Sequence, residues 1–126
     1  MIRYRSRKKA AREKFCRDFR ARFRGDVSHC ERCRHWFTAS GPRRFEQHEI
    51  AGGPLREKAR DKRYAVLGLC SECHRIIHDE TGWPRARQLA LLKRSRPLDY
   101  DLAAFNKLVG YGPNRITEED VDECSI

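Results

Sequence analysis

An α+β fold is what this sequence predicts, and three observations predict it. Two Cys-x-x-Cys pairs, Cys30/Cys33 and Cys70/Cys73, stand 36 residues apart (34–69). Two short runs of strand character, 43–50 and 64–69, lie across that interval. Segments with helical periodicity occupy both ends of the chain. Four thiols on two such turns form the tetrahedral S4 set that suits structural zinc. The expected architecture is therefore a small zinc-stapled core with helical additions before and after it.

In chain order, 6–24 reads as a basic helix. Phe15, Phe19 and Phe23 recur every four residues, with Ala11 one step earlier, as an apolar stripe on a cationic rod. Ser6 is the expected N-cap and Gly25 the expected stop. Cys16, between Phe15 and Phe19, reads as a small core residue rather than a ligand. Trp36 and Phe37 follow the first Cys pair and are expected to cover its turn. Ser40-Gly41-Pro42 marks a turn before the first strand, and Ala51-Gly52-Gly53-Pro54 breaks that strand. Residues 55–63 form a charged loop or helical turn. The second strand then delivers Cys70.

A helix is expected from 71 to 79, closed by Thr81-Gly82. Pro84 opens another at its tolerated first turn, with Leu89, Leu91 and Leu92 apolar, and Pro97 ends it. Residues 99–109 read as helical, with Leu102, Phe105, Leu108 and Val109 on one side. Residues 110–114 form a loop, and Thr117 to Asp120 open an acidic final turn or short helix. The division expected is a basic helical arm (1–27), a zinc-binding core (28–82) and a helical C-terminal extension (83–126), in one compact domain overall.

Composition narrows the function. The 126 residues are 39% hydrophobic and 37% charged, so the core is small for the length and a metal staple would help the chain fold. The net charge of +10 favours a polyanionic partner, above all nucleic acid. Residues 1–24 carry eleven Arg and Lys against Glu13 and Asp18, so nearly all of the excess lies there. Arg5, Arg7, Lys8, Lys9 and Arg12 are the candidate phosphate contacts. The first residues hold no apolar run, so no signal peptide is expected, and nothing approaches the apolar length of a membrane span. A reduced, cytoplasmic setting is expected, in which six cysteines speak for metal before disulfides.

Two rival uses of the cysteines are disfavoured, one by spacing and one by compartment. A two-Cys, two-His finger from Cys30 and Cys33 through His48 would need a second histidine where Gly52, Gly53 and Pro54 stand. Cys70-Ser71-Glu72-Cys73-His74 matches c-type haem attachment. That chemistry needs export and leaves Cys30 and Cys33 without a role. His74 and His78 stand four apart, on one face of the helix that leaves the second Cys pair. With His48 on the first strand, they could place three imidazoles around one divalent ion with open positions for a phosphate.

These residues resemble the HNH nuclease family, whose fold is a ββα-metal motif often stapled by a four-cysteine zinc. The resemblance spans about residues 28–80. It is carried by Cys30-Glu31-Arg32-Cys33, by Gln47-His48-Glu49-Ile50 with Gly52-Gly53 behind it, and by Leu69-Cys70-Ser71-Glu72-Cys73-His74. The His-x-x-x-His spacing resembles the nuclease colicins of the same superfamily, and the size and layout resemble small phage-encoded members. The resemblance implies that His48, His74 and His78 hold a catalytic divalent ion such as Mg, Mn or Ni. It also implies hydrolysis of DNA phosphodiesters in a bacterial host cell, with a phage packaging or replication protein as a further partner. Glu49 stands where the family has its general-base histidine, and Ala65 where it has an asparagine. A carboxylate near pKa ~4.3 is a weaker base than an imidazole near ~6.5. The competing expectation is a zinc-containing DNA-binding or adaptor protein that keeps the fold without the base.

Overall fold

Two antiparallel strands form the centre of the fold, with helices on both faces. The computed structural model describes residues 6–79, 83–110, 112 and 115–124. Within these, six α-helices and two strands follow in the order α1 (Arg7–Asp26), β1 (Phe45–Glu49), α2 (Arg56–Ala59), β2 (Val66–Cys70), α3 (Ser71–Asp79), α4 (Arg85–Ser95), α5 (Leu102–Val109) and α6 (Glu118–Asp122). The fold is small and α+β, as the sequence predicts. Among the described residues no helix is long and apolar enough to cross a membrane.

The ladder pairs Phe45 with Cys70, Gln47 with Gly68 and His48 with Leu67. Because side chains alternate along a strand, the sheet has two unlike faces. One carries Phe45, Gln47, Val66 and Gly68, and helix α1 lies over it. Phe19, Phe23 and Val27 pack there with Val66 in a small cluster. A Cβ on Gly68 would come within 3.1 Å of both Phe45 and Val27, so only glycine lets helix and strand approach this closely. The other face carries Glu46, His48, Leu67 and Leu69. Leu67 and Leu69 join the main core with Cys73 and Ile77 of α3, Leu89, Leu91 and Leu92 of α4, Leu102 and Phe105 of α5, and Val121 of α6.

Several expectations shift in detail. Ser6 does cap α1, its hydroxyl accepting from Lys9 N at 3.1 Å. The helix runs past Gly25 to Asp26, where Val27 N still bonds Phe23 O. Phe15 stays 52% exposed, so the packed stripe is Cys16, Phe19 and Phe23. Each strand is shorter than expected. The backbone at 63–65 coils into a 3₁₀ turn before β2, and the 55–63 segment holds the one-turn helix α2. The expected stop at Thr81-Gly82 lies outside the described residues, as do Arg5 and part of the 110–114 loop.

The residues expected to form an extension are wired into the core by charge as well as by leucines. Glu31, in the first Cys turn, is 3% exposed, and its carboxylate gathers donors from three residues: Gly68 N at 2.6 Å, Ser95 Oγ at 2.5 Å, and Arg96 through Nε at 2.7 Å and Nη2 at 3.4 Å. Arg96 also donates to Arg63 O at 3.0 Å, to Val66 O and to Asp99. This network ties β2, the first Cys turn and the end of α4 into one unit. Thr117 caps α6 through a reciprocal capping box with Asp120.

Candidate functional site

The two Cys turns meet at the end of the sheet. Cys30 and Cys33 lie on the turn after α1. Cys70 ends β2, and Cys73 sits in the first turn of α3. The ligand atoms of these four all lie within 4.8 Å of one another, and theirs is the one such group among the described residues. Cys33 Sγ and Cys70 Sγ are 3.8 Å apart. Four Zn–S bonds of about 2.3 Å in a tetrahedron put the sulfurs about 3.8 Å apart, whereas a disulfide needs about 2.05 Å. The geometry therefore fits a structural metal such as zinc.

Charge around the sulfurs agrees with that fit. Four thiolates on a divalent ion carry two negative charges in excess, and two guanidiniums face them. Arg32 Nη1 lies 3.4 Å from Cys73 Sγ, and Arg43 Nη1 lies 3.2 Å from Cys33 Sγ and 3.7 Å from Cys70 Sγ. Burial pushes the Cys30 and Cys73 thiols up. Burial acts the same way on Cys70, but the backbone N–H of Cys73 and the Arg43 guanidinium donate to its sulfur and hold it below the ordinary thiol value. A cluster so arranged must release protons when it takes up a metal. Trp36 does not cover this turn. It is 68% exposed and lies against His29, with ring centroids 3.9 Å apart and the planes tilted by 47°, while Phe37 packs inward against Phe45.

The histidines lie along a separate cleft of about 460 Å³, bounded by β1, α3 and the start of α4 and lined also by Glu49, Arg56 and Trp83. The ring centroids of His48 and His74 are 5.0 Å apart, and those of His74 and His78 are 6.4 Å apart. Two imidazoles bound to one ion at about 2.1 Å have centroids roughly 4.5–5.3 Å apart. His48 and His74 meet that condition. His78 is exposed and would have to turn inward to join them.

Two residues the sequence reading passed over orient these rings. His74 Nδ1 lies 2.8 Å from Glu46 Oε1. Burial alone would raise the Glu46 carboxyl, yet the His74 ring and the Arg44 guanidinium hold it below its ordinary range. An ionised carboxylate only accepts, so His74 donates from Nδ1, which leaves Nε2 as the nitrogen that could meet a metal. The signal for Glu46 was present: it stands two before His48 on a strand, hence on the same face. Gln88, on α4, is the second. Its Nε2 donates to Trp83 O at 2.8 Å, which leaves Oε1 to accept from His48 Nε2 at 2.7 Å. His48 thus keeps its lone pair on Nδ1. Burial lowers the His48 pKa to about 4, against the pull of Gln88 and with the help of His74 and His78. Glu49 is half-buried, and its Oε1 accepts from Arg56 Nε at 3.3 Å.

The basic arm divides in the same way. Arg7, Lys8 and Lys9 are exposed on the first turn of α1. Arg12 instead reaches across to α2 and the turn after it, donating to Asp61 Oδ2 at 2.5 Å and to Glu57 O at 2.5 Å. It tethers the helix.

Comparison of the chain with family models, with curated proteins and with solved structures finds no match.

Proposed function

We propose that this chain is a metal-dependent DNA endonuclease of the HNH, or ββα-metal, type. The observation that supports it most is the strand–strand–helix unit on which His48 and His74 face one another across a cleft, with ring centroids 5.0 Å apart. His74 donates to a carboxylate through its other nitrogen, an arrangement widespread among metal-binding histidines. His48, His74 and, after rotation, His78 would hold a divalent ion such as Mg, Mn or Ni. Such an ion supplies electrostatic stabilisation of the charge that develops on a phosphodiester during hydrolysis.

The protein's own groups would do the rest. Glu46 fixes the His74 ring, and Gln88 fixes the His48 ring. Glu49, at the family's base position, would orient or accept a proton from water once Arg56 moves off its Oε1. Ala65, fully buried, has no polar side-chain atom where the family has an asparagine. The exposed cations of α1 would hold the DNA backbone without reading sequence.

The second reading is a zinc-containing DNA-binding or adaptor protein, for instance in a phage packaging or replication assembly. The Glu49–Arg56 pair favours it, because that pair occupies the group that would have to act on water. Nicking of supercoiled plasmid by zinc-loaded protein with added Mg, Mn, Co or Ni separates the two. Cleavage that requires the added ion and is lost in His74→Ala supports the nuclease. Salt-sensitive DNA binding without cleavage supports the second reading.

A further inference from the structure

Beside the histidine cleft, and opening into it at Glu49, Arg56 and His74, lies a trough of about 470 Å³ between α1 and the β1–α2 side of the sheet. Arg17 and Arg20 of α1 stand on one bank, and Arg56 and Arg60 on the other. The carboxylates in its wall are largely committed. Glu46 serves His74 and Arg44, Glu49 pairs with Arg56, and Glu13 also has a partner. Arg17 and Arg20 are different: both are exposed, and neither has an ion pair among the described residues. Across from them, Arg60 pairs with Glu57 through Nη2 at 2.9 Å, while its Nε has no hydrogen-bond acceptor. A small rotation onto a phosphate oxygen would supply one.

We propose that this trough seats the backbone of one strand of duplex DNA and leads it to the histidine cleft, with Arg17 and Arg20 as its phosphate clamps. The proposal rests on the nucleic-acid reading above and adds the path of the strand. Two guanidiniums three residues apart on a helix lie about 5–6 Å apart at Cβ, so both reach one strand. No Phe, Tyr or Trp is among the described residues lining the trough. Proteins that hold single strands rely on aromatic rings on which bases stack. Among the described lining residues the His74 imidazole, at the junction with the cleft, is the one ring, so the trough grips phosphates along its length and leaves the bases paired. The contact therefore falls in the middle of α1, whereas charge density alone points to its first turn at Lys8 and Lys9.

The test is the salt dependence of duplex affinity for zinc-loaded protein with no second ion added, so that catalysis plays no part. Each phosphate contact contributes about 0.9 to the slope of log K against log salt for B-DNA. Arg17→Ala/Arg20→Ala should lower that slope by about two and weaken binding at 0.1 M salt by roughly ten- to a hundredfold. Lys8→Ala/Lys9→Ala should change both less. Arg17→Lys/Arg20→Lys should recover most of the slope, which separates lost charge from lost fold. An effect of the arginine pair no larger than that of the lysine pair overturns the proposal, even if metal-dependent nicking is found. Tighter binding to single-stranded than to duplex oligonucleotide of the same length overturns it as well. Absence of nicking in the wild-type protein counts against the nuclease reading alone.

Discussion

His48 shows how much of the site depends on single hydrogen bonds. Its strand position made it a candidate ligand, but its tautomer is set by Gln88, forty residues later. Gln88 cannot present its amide the other way round without losing Trp83 O, so His48 carries its proton on Nε2. Nitrogen chemical shifts should report that tautomer, and the ring should remain neutral as pH falls from 8 towards about 4. The sign follows from burial: a histidine whose folded pKa lies below its unfolded value near 6.5 takes up its proton in the unfolded chain first. Its contribution to stability is therefore complete above about pH 6.5 and is lost as pH falls towards 4. A ring that titrates near 6.5 in the folded protein would refute the assignment. Gln88→Leu should leave a buried N–H without an acceptor and cost about 1–3 kcal/mol in chemical denaturation. Glu46 was readable from strand alternation. Gln88 was not, because nothing in the spacing of α4 says which of its polar side chains turns inward to meet a histidine on another element.

Local signals placed most elements, because each has a strong one: Ser6 and Thr117 as caps, Pro84 before α4, alternation around His48, and the thiols that bracket β2 and α3. What could not be read was how the elements press on one another. Gly68 looks like an interruption in an apolar strand, yet it is where α1 touches the sheet. Gly68→Ala would place a methyl 3.1 Å from both Phe45 and Val27, which already fill the space around Phe23. Over-packing of this kind costs about 1–3 kcal/mol, and a thermal melt should show it with the zinc content unchanged. Arg12 is a second case in which the partner was not legible: its sequence neighbours suggested phosphate, and in the fold it pairs with Asp61. That guanidinium holds the Asp61 carboxyl below its ordinary range although burial alone would raise it. A carboxylate with a lowered folded pKa contributes stability above about pH 4 and loses it as pH falls further. Asp61→Asn should therefore destabilise the protein by about 1–2 kcal/mol at neutral pH, discounted because Arg12 is one-third exposed. It should also flatten the acid limb of the stability profile.

Over the whole molecule, two staples of different chemistry act on the same strand. The cysteine cluster fixes the end of β2 to the first Cys turn, and Glu31 with Arg96 fixes its beginning and middle to the end of α4. The sequence suggested a core with an appended extension because Cys30 to Gly82 contains every metal-ligating residue type in the right order. Hydrophobic burial does not follow that division. Leu67 and Leu69 share one core with Leu89, Leu91, Leu92 and Phe105 as well as with α3, and Glu31 would be left without Arg96. A fragment ending at residue 82 should therefore bind zinc through all four cysteines and still fail to fold, giving poorly dispersed amide resonances. The intact chain should show the complementary dependence. Stripping zinc from it should abolish the cooperative thermal transition, because the thiols then take back their protons and the bonds to the ion that hold the two turns together are gone. A zinc-loaded fragment with a native-like spectrum would mean that the C-terminal helices are an accessory layer. Failure of the fragment together with unfolding of the stripped chain would mean that neither staple suffices alone, since each holds only one end of the strand that carries the helix of His74.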